Sequence, residues 1–282
     1  MPDERAVSTV SLEAKSPYEL RVNLGRDVPE TDVRTALSTG DMGFLHSFTT
    51  GATVDGPGVR LVAWTSGCMF RCTYCHNPDT WTMSNGLPVT VAQAVQELRK
   101  YKRGLHIMSG GFTLSGGEPL MQHRFAVKLL GAARQMGVHT ALDTNGIFGD
   151  RLSDDELLVA DLVMLDIKQW DPVLHKELTG MDNAPVLEFA RRLAAKHRPV
   201  WLRYVLVPGV TDNFDGIGKL AKFTADLGNV ERVDVLPFHQ MGKYKWAKLG
   251  LTYTLEDVKP ADSNLADTLS PTRRSSDRKS VV

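Results

Sequence analysis

The sequence has no apolar run near the ~18 residues that a membrane-spanning helix needs. Its longest apolar stretch, Leu157 to Ile167, is broken by Asp161 and Asp166. No membrane partner is expected. There is no surplus of charge of either sign, since 33 Lys and Arg stand against 33 Asp and Glu. A balanced chain points to neither nucleic acid nor an anionic surface as partner. The first ten residues, MPDERAVSTV, lack the apolar core of a signal peptide. Cysteine is scarce as well: there are three, all between positions 68 and 75. An odd, clustered set makes no disulfide framework. Reduced thiols packed this closely point to a metal or a cluster in a reducing compartment, so a cytoplasmic location is expected.

What is present divides into three textures. Residues 1–41 mix Pro, Ser, Thr and charge without sustained periodicity, and are expected to be a mobile extension with at most a short helix near Thr31–Leu37. Residues 42–260 alternate short apolar runs with helical patterns. Strands are predicted at Arg60–Thr65, Gly111–Ser115, Thr140–Asp143, Leu162–Ile167, Val200–Val207 and Arg232–Leu236, most of them nearly continuous apolar runs. Helices are predicted from a Thr90 cap to Lys100 and over Leu120–Gln135, Asp154–Ala160 (capped by Ser153), Pro185–Lys196 and Asp215–Leu227. Six strand–helix units predict an α/β fold, an incomplete parallel (β/α)6 barrel in a single domain with disordered ends. An open doubly wound sheet fits the periodicity nearly as well. Residues 261–282 are rich in Ser, Thr, Asp and Arg and are expected to be a disordered tail.

The central motif is Cys68-Met-Phe-Arg-Cys72-Thr-Tyr-Cys75, directly after a strand and preceded by Gly67. The spacing C-x3-C-x2-C puts three soft thiolates on one tight loop, which suits an iron–sulfur cluster, copper(I) or zinc. A 4Fe–4S cluster normally takes four thiolates, so three would leave one iron open to a substrate or cofactor. The competing site is zinc held by Cys68, Cys72, Cys75 and His76. It asks adjacent residues 75 and 76 to ligate one tetrahedral ion.

Further polar groups follow the apolar strands. Gly116 and Gly117 let the backbone approach a ligand, and Glu118 beside them can accept from an ammonium group or simply open a helix. Asp143 and Thr144 follow one strand, while Asp166 and Lys168 end the next. In barrels of this class the C-terminal ends of strands line the active site. Asp143 and Asp166 could share a cation there, or be ordinary solvated charges. Arg203 lies within an apolar strand and needs a partner. A lone histidine such as His239 is more often structural than functional.

The C-x3-C-x2-C spacing, with Ser115-Gly-Gly-Glu-Pro119 and Asp166-Ile-Lys168, resembles the radical S-adenosylmethionine (SAM) family. Longer stretches narrow the likeness. They include Thr53-Val-Asp-Gly-Pro-Gly-Val-Arg60, Asp161-Leu-Val-Met-Leu-Asp-Ile-Lys-Gln169, Arg203-Tyr-Val-Leu-Val-Pro-Gly209 and Leu236-Pro-Phe-His-Gln-Met-Gly-Lys-Tyr-Lys-Trp246. From about Phe44 to Pro260 they resemble the glycyl-radical activating enzymes, nearest those that serve pyruvate formate-lyase.

The resemblance implies a barrel of the radical SAM type and a set of roles. Cys68, Cys72 and Cys75 would ligate a 4Fe–4S cluster with one open iron. Tyr74, His76 and Asn77 would border the adenine of SAM. Gly116, Gly117 and Glu118 would hold its ammonium, and Lys168 and His239 its carboxylate or ribose. Asp143, Thr144, Asp166 and the Met164 carbonyl match a monovalent-cation site. Asp55 and Arg203 match positions that hold the glycine loop of the partner enzyme. The implied reaction splits SAM into methionine and a 5′-deoxyadenosyl radical, which takes hydrogen from a glycine Cα; the implied electron donor is a flavodoxin or ferredoxin. Competing readings are an activase of another glycyl-radical enzyme, a zinc-binding interaction module, and an iron–sulfur electron carrier. The tail after Pro260 departs from the family, which continues into an amphipathic helix. A frameshift or sequencing read-through would produce such a tail, and finding it unchanged in genomic DNA would exclude that origin.

Overall fold

The computed structural model describes residues 19–20, 30–262 and 266. Most of the expected N-terminal extension and tail lies outside them. The fold is mixed α/β with a mostly parallel, open sheet, and the chain divides into two compact units.

Unit 1 comprises residues up to Cys68, then Thr82–Asp143 and Asp155–Asp161. Its strands are β1 (Glu19–Leu20), β2 (Met42–Ala52), β3 (Arg60–Thr65), β4 (Leu87–Thr90), β5 (Gly111–Gly116) and β6 (His139–Thr144). β3, β5 and β6 run parallel, with Trp64 beside Ser115 and Leu114 beside Leu142. β2 pairs antiparallel with β1, β3 and β4. The helices are α1 (Glu30–Thr39), α2 (Val91–Ile107) and α3 (His123–Gln135). Thr90 does cap α2, in a reciprocal capping box with Gln93. Helix α1 covers the short helix expected near Thr31–Leu37, and its end is tied to α3: Arg124 donates to the Ser38 carbonyl, and Lys128 pairs at 2.6 Å with Asp41 just beyond it. Leu61, Val62 and Ala63 of β3 are fully buried on alternating faces of the strand, as are Phe112 and Leu114 of β5, Leu98 of α2 and Leu129 of α3.

Unit 2 comprises Met69–Trp81, Thr144–Asp154 and the chain from Leu162 on. Strands β7 (Leu162–Asp166), β8 (Val200–Leu206) and β9 (Val230–Pro237) are parallel. Its helices are α4 (Pro172–Thr179), α5 (Ala184–Ala195), α6 (Phe214–Leu227) and α7 (Lys243–Lys248). Each unit therefore has three parallel strands, the number that six strand–helix units predict. The expected helix over Asp154–Ala160 is only a 3-10 turn, Glu156–Val159, with Asp155 at its N-cap position. Strand β7 is buried nearly throughout, but no residue of β9 is fully buried and half are exposed, as β9 is the last strand in the sheet order. An apolar cavity of about 470 Å³ lies between α6 and the β8–β9 pair, lined by Leu202, Ile217, Leu220 and Val233.

Candidate functional site

In unit 1 the end of β5 makes a tight backbone cradle. Gly116 has φ +127°, and a Cβ there would sit 2.1 Å from the Thr65 nitrogen. Gly117 donates to the Thr65 carbonyl (2.8 Å) and Glu118 to the Gly67 carbonyl (2.7 Å). The Glu118 side chain is fully buried and accepts from the Leu120 amide at 2.9 Å. It thus opens the following 3-10 turn, the structural role weighed for it above. Ser115 Oγ donates to Asp143 at 2.6 Å, which fixes that carboxylate at the end of β6.

Asp55 is held through its backbone. Its carbonyl accepts from Thr113 Oγ1 at 2.6 Å, and Thr113 in turn accepts from Arg60 Nε at 2.9 Å. Arg60 is fully buried and surrounded by neutral acceptors: Thr113 Oγ1, the carbonyls of Pro57, Phe112 and His139, and His139 Nδ1. Burial pulls the guanidinium down to about 10 despite Asp55 and Asp161. The glycines of this loop are close-packed. A Cβ at Gly58 (φ +68°) would meet the Ser109 carbonyl, and one at Gly110 the Val59 carbonyl.

In unit 2 the cysteine loop continues through Cys72, Tyr74, Cys75, His76 and Asn77. None of the three cysteines is bridged. Burial pushes the Cys72 thiol up to about 12, although Lys168 opposes the shift. Burial also raises Cys75. Such thiols ionise readily only on a metal or cluster, and this donor set fits one. A single zinc ion fits less well. As its fourth ligand beside the three cysteines it would need His76. His76 is engaged elsewhere: its Nε2 donates to the His239 carbonyl at 3.0 Å and its ring stacks on that of His239 at 4.1 Å.

Asp166 sits between two cations, Lys168 at 2.8 Å and Arg203 at 3.3 Å. The parallel register that sets Asp166 beside Arg203 accounts for the second contact, and supplies the partner that the buried arginine needs. Burial pushes the Asp166 carboxyl up, but Arg203 and Lys168 together outweigh it and hold it below its ordinary value. Burial pulls the Lys168 ammonium down, and Asp166 and Tyr74 more than reverse this. Lys168 also lies 5.6 Å from the Tyr74 ring centroid. The Tyr74 hydroxyl and His239 Nδ1 are buried without a hydrogen-bond partner, as expected where a ligand completes the bonding. Met164 is fully buried on β7, and Thr144 Oγ1 accepts from the Gly146 amide.

Sequence reasoning missed Lys245 and Trp246 as contacts of the cysteine loop. Lys245 donates to Asn77 Oδ1 at 2.8 Å and pairs with Asp79 at 3.1 Å. Trp246 Nε1 donates to the Cys75 carbonyl at 2.8 Å and its ring meets Trp81 edge-on at 5.1 Å. Only the Lys-Tyr-Lys-Trp stretch itself signalled them, with no local pattern linking it to the cysteines.

A family model for the radical SAM superfamily matches residues 62–221. The pyruvate formate-lyase 1-activating enzyme of Escherichia coli (strain K12) is 45% identical over 221 residues, covering 78% of this chain and 90% of that one. The pyruvate formate-lyase-activating enzyme of Staphylococcus aureus (strain USA300) is 46% identical with the same coverage. Among solved structures, a radical SAM methyltransferase from Sphaerobacter thermophilus aligns with TM-score 0.50 at 20% identity, covering 75% of this chain and 72% of that one, a likeness of fold alone. With a matched domain model and relatives this similar over nearly their whole length, the chain belongs to the radical SAM superfamily and, within it, to the family of pyruvate formate-lyase-activating enzymes.

Proposed function

We propose that this chain activates a pyruvate formate-lyase by generating a glycyl radical on it. The observation that carries the proposal is the 45% identity, over 78% of the chain, to an enzyme named for that task. The family works with a 4Fe–4S cluster and SAM. When bound, these supply one-electron chemistry that ends in removal of hydrogen from a glycine Cα of the partner. We assign Cys68, Cys72 and Cys75 as cluster ligands, with the fourth iron left to SAM.

The other residues bind, orient and exclude water. Lys168, just past the end of β7 and paired to Asp166, meets the carboxylate or ribose of SAM together with His239. The stacked His76 and His239, with Tyr74 and Asn77, offer flat surface to an adenine, and the buried Tyr74 hydroxyl and His239 Nδ1 supply polar atoms for a nucleoside. Gly116, Gly117 and Glu118 receive the ammonium group. Asp143, Thr144, Asp166 and the Met164 carbonyl form a monovalent-cation site. Asp55 and Arg203 hold the glycine-containing loop of the partner. No general base is required, since the step moves a hydrogen atom and not a proton. A flavodoxin or ferredoxin supplies the electron, residues 42–260 form the working domain, and the reaction takes place in the cytoplasm. Among the described residues no helix is long and apolar enough to cross a membrane.

The test is anaerobic reconstitution with iron and sulfide, then reduction with SAM and pyruvate formate-lyase. Deoxyadenosine together with a glycyl-radical EPR signal supports the proposal. Deoxyadenosine without the radical moves the activity to another glycyl-radical enzyme. No deoxyadenosine from a cluster-loaded chain overturns the reading.

A further inference from the structure

Helix α4 ends against the cysteine loop. The last carbonyls of any helix lack partners within it. Gly180, left-handed at φ +79°, stops α4 by donating to the Lys176 carbonyl. The last two carbonyls of the helix turn to the loop: Thr179 O accepts from the Arg71 amide at 2.7 Å and Leu178 O from the Thr73 amide at 3.1 Å. This helix end is braced from inside. His175 is fully buried, and its Nδ1 lies 2.8 Å from the Met181 carbonyl, which only accepts; Nδ1 therefore carries the proton. Thr179 Oγ1 donates to the His175 carbonyl at 2.8 Å and accepts from the Met181 amide at 3.2 Å. The buried ring of Phe70, next to Arg71, meets the His175 ring edge-on at 5.5 Å. His175 thus touches both the helix end and the loop.

We propose that the C-terminal turn of α4, set by His175 and Thr179, is the template on which the cluster loop is shaped, and that it withholds the Arg71 and Thr73 amides from the sulfurs of the cluster. The second half rests on the cluster assignment above. Hydrogen bonds to cluster sulfurs help set the reduction potential, and each one favours the more negative, reduced state. A loop whose amides are engaged with a helix end keeps its cluster strongly reducing, as cleavage of a sulfonium demands. His175 and Thr179 are positioning residues in this scheme.

The experiment uses the full chain and three variants: His175→Leu, His175→Asn and Thr179→Val. Asparagine keeps an N–H donor at the Nδ1 position, and valine keeps the shape of threonine without its hydroxyl. Amide hydrogen exchange without cluster reads the template directly. His175→Leu and Thr179→Val should speed exchange at Arg71 and Thr73 roughly tenfold, with His175→Asn close to the parent. After reconstitution, the midpoint potential should rise in the first two variants and return in His175→Asn. Unchanged exchange at both amides in Thr179→Val would overturn the template, even if His175→Leu failed to fold. Faster exchange with an unchanged potential would overturn the withholding of amides. A chain that takes up no cluster would refute the proposed function, while the exchange result would still decide on the template.

Discussion

Trp246 donates its indole N–H to the main-chain carbonyl of Cys75 at 2.8 Å, so helix α7 grips the end of the cysteine loop by backbone and not by thiol. The Trp246 side chain is buried between Trp81 and Tyr253. Trp246→Phe should keep most of this packing and lose the bond, costing about 1 kcal/mol. The reconstituted variant should release iron to a chelator faster than the parent. Equal release rates would show that α7 does not secure the loop.

Arg60 satisfies neutral acceptors on three separate segments of unit 1. Arg60→Met should leave buried carbonyls without donors, and cost roughly 3 kcal/mol or more in denaturant unfolding. Arg60→Lys, with fewer donors in a different geometry, should fall between. A loss below about 1 kcal/mol for methionine would mean that water replaces the guanidinium.

Asp161 supplies a pH test. Its Oδ2 accepts from the Thr140 amide and hydroxyl at 2.9 and 3.0 Å. Burial pushes the carboxyl up, but the Thr140 bonds, His139 and Arg134 together hold it below 3.8. A carboxyl lowered on folding contributes stability above its unfolded value, and loses it as pH falls through the folded value. The stability gap between the parent and Asp161→Asn should therefore be constant from about pH 7 to about pH 5 and close at more acid pH. Urea unfolding of both chains measures it, and a gap that widens in acid would contradict the assignment.

Gly116→Ala tests the cradle at the end of β5. A methyl group there would meet the Thr65 backbone at about 2 Å while the φ of +127° disfavours any side chain. SAM affinity, measured by equilibrium titration of the reconstituted protein, should fall at least about tenfold, equivalent to 1.4 kcal/mol. Unaltered affinity would remove this turn from the binding site.

Strand β3 spans Arg60–Thr65, as its unbroken apolar run predicts, because a strand buried on both faces leaves a continuous apolar signal. The start of α2 was equally legible, since Thr90 makes a local cap. β2 was not predicted: MGFLHSFTTGA mixes polar and apolar residues and reads as neither strand nor helix until its partners on both sides are known. α4 was missed because it is only eight residues long and its sequence PVLHKELT carries little apolar periodicity. The cysteines announced themselves by spacing alone. Trp246, His175 and Thr179 did not, because only folding brings such distant positions to the loop.

The cage around Arg60 also bears on how the protein responds to its solvent. Surface pairs such as Lys219–Asp215 and Lys222–Asp226 are attractions between exposed ions, and dissolved electrolyte weakens them. Arg60 is held by dipoles, buried beyond the reach of mobile ions. Brine that dissolves the outer pairs leaves the inner seam of unit 1 intact, so the footing of the Asp55 loop is insulated from the ionic strength of the cell.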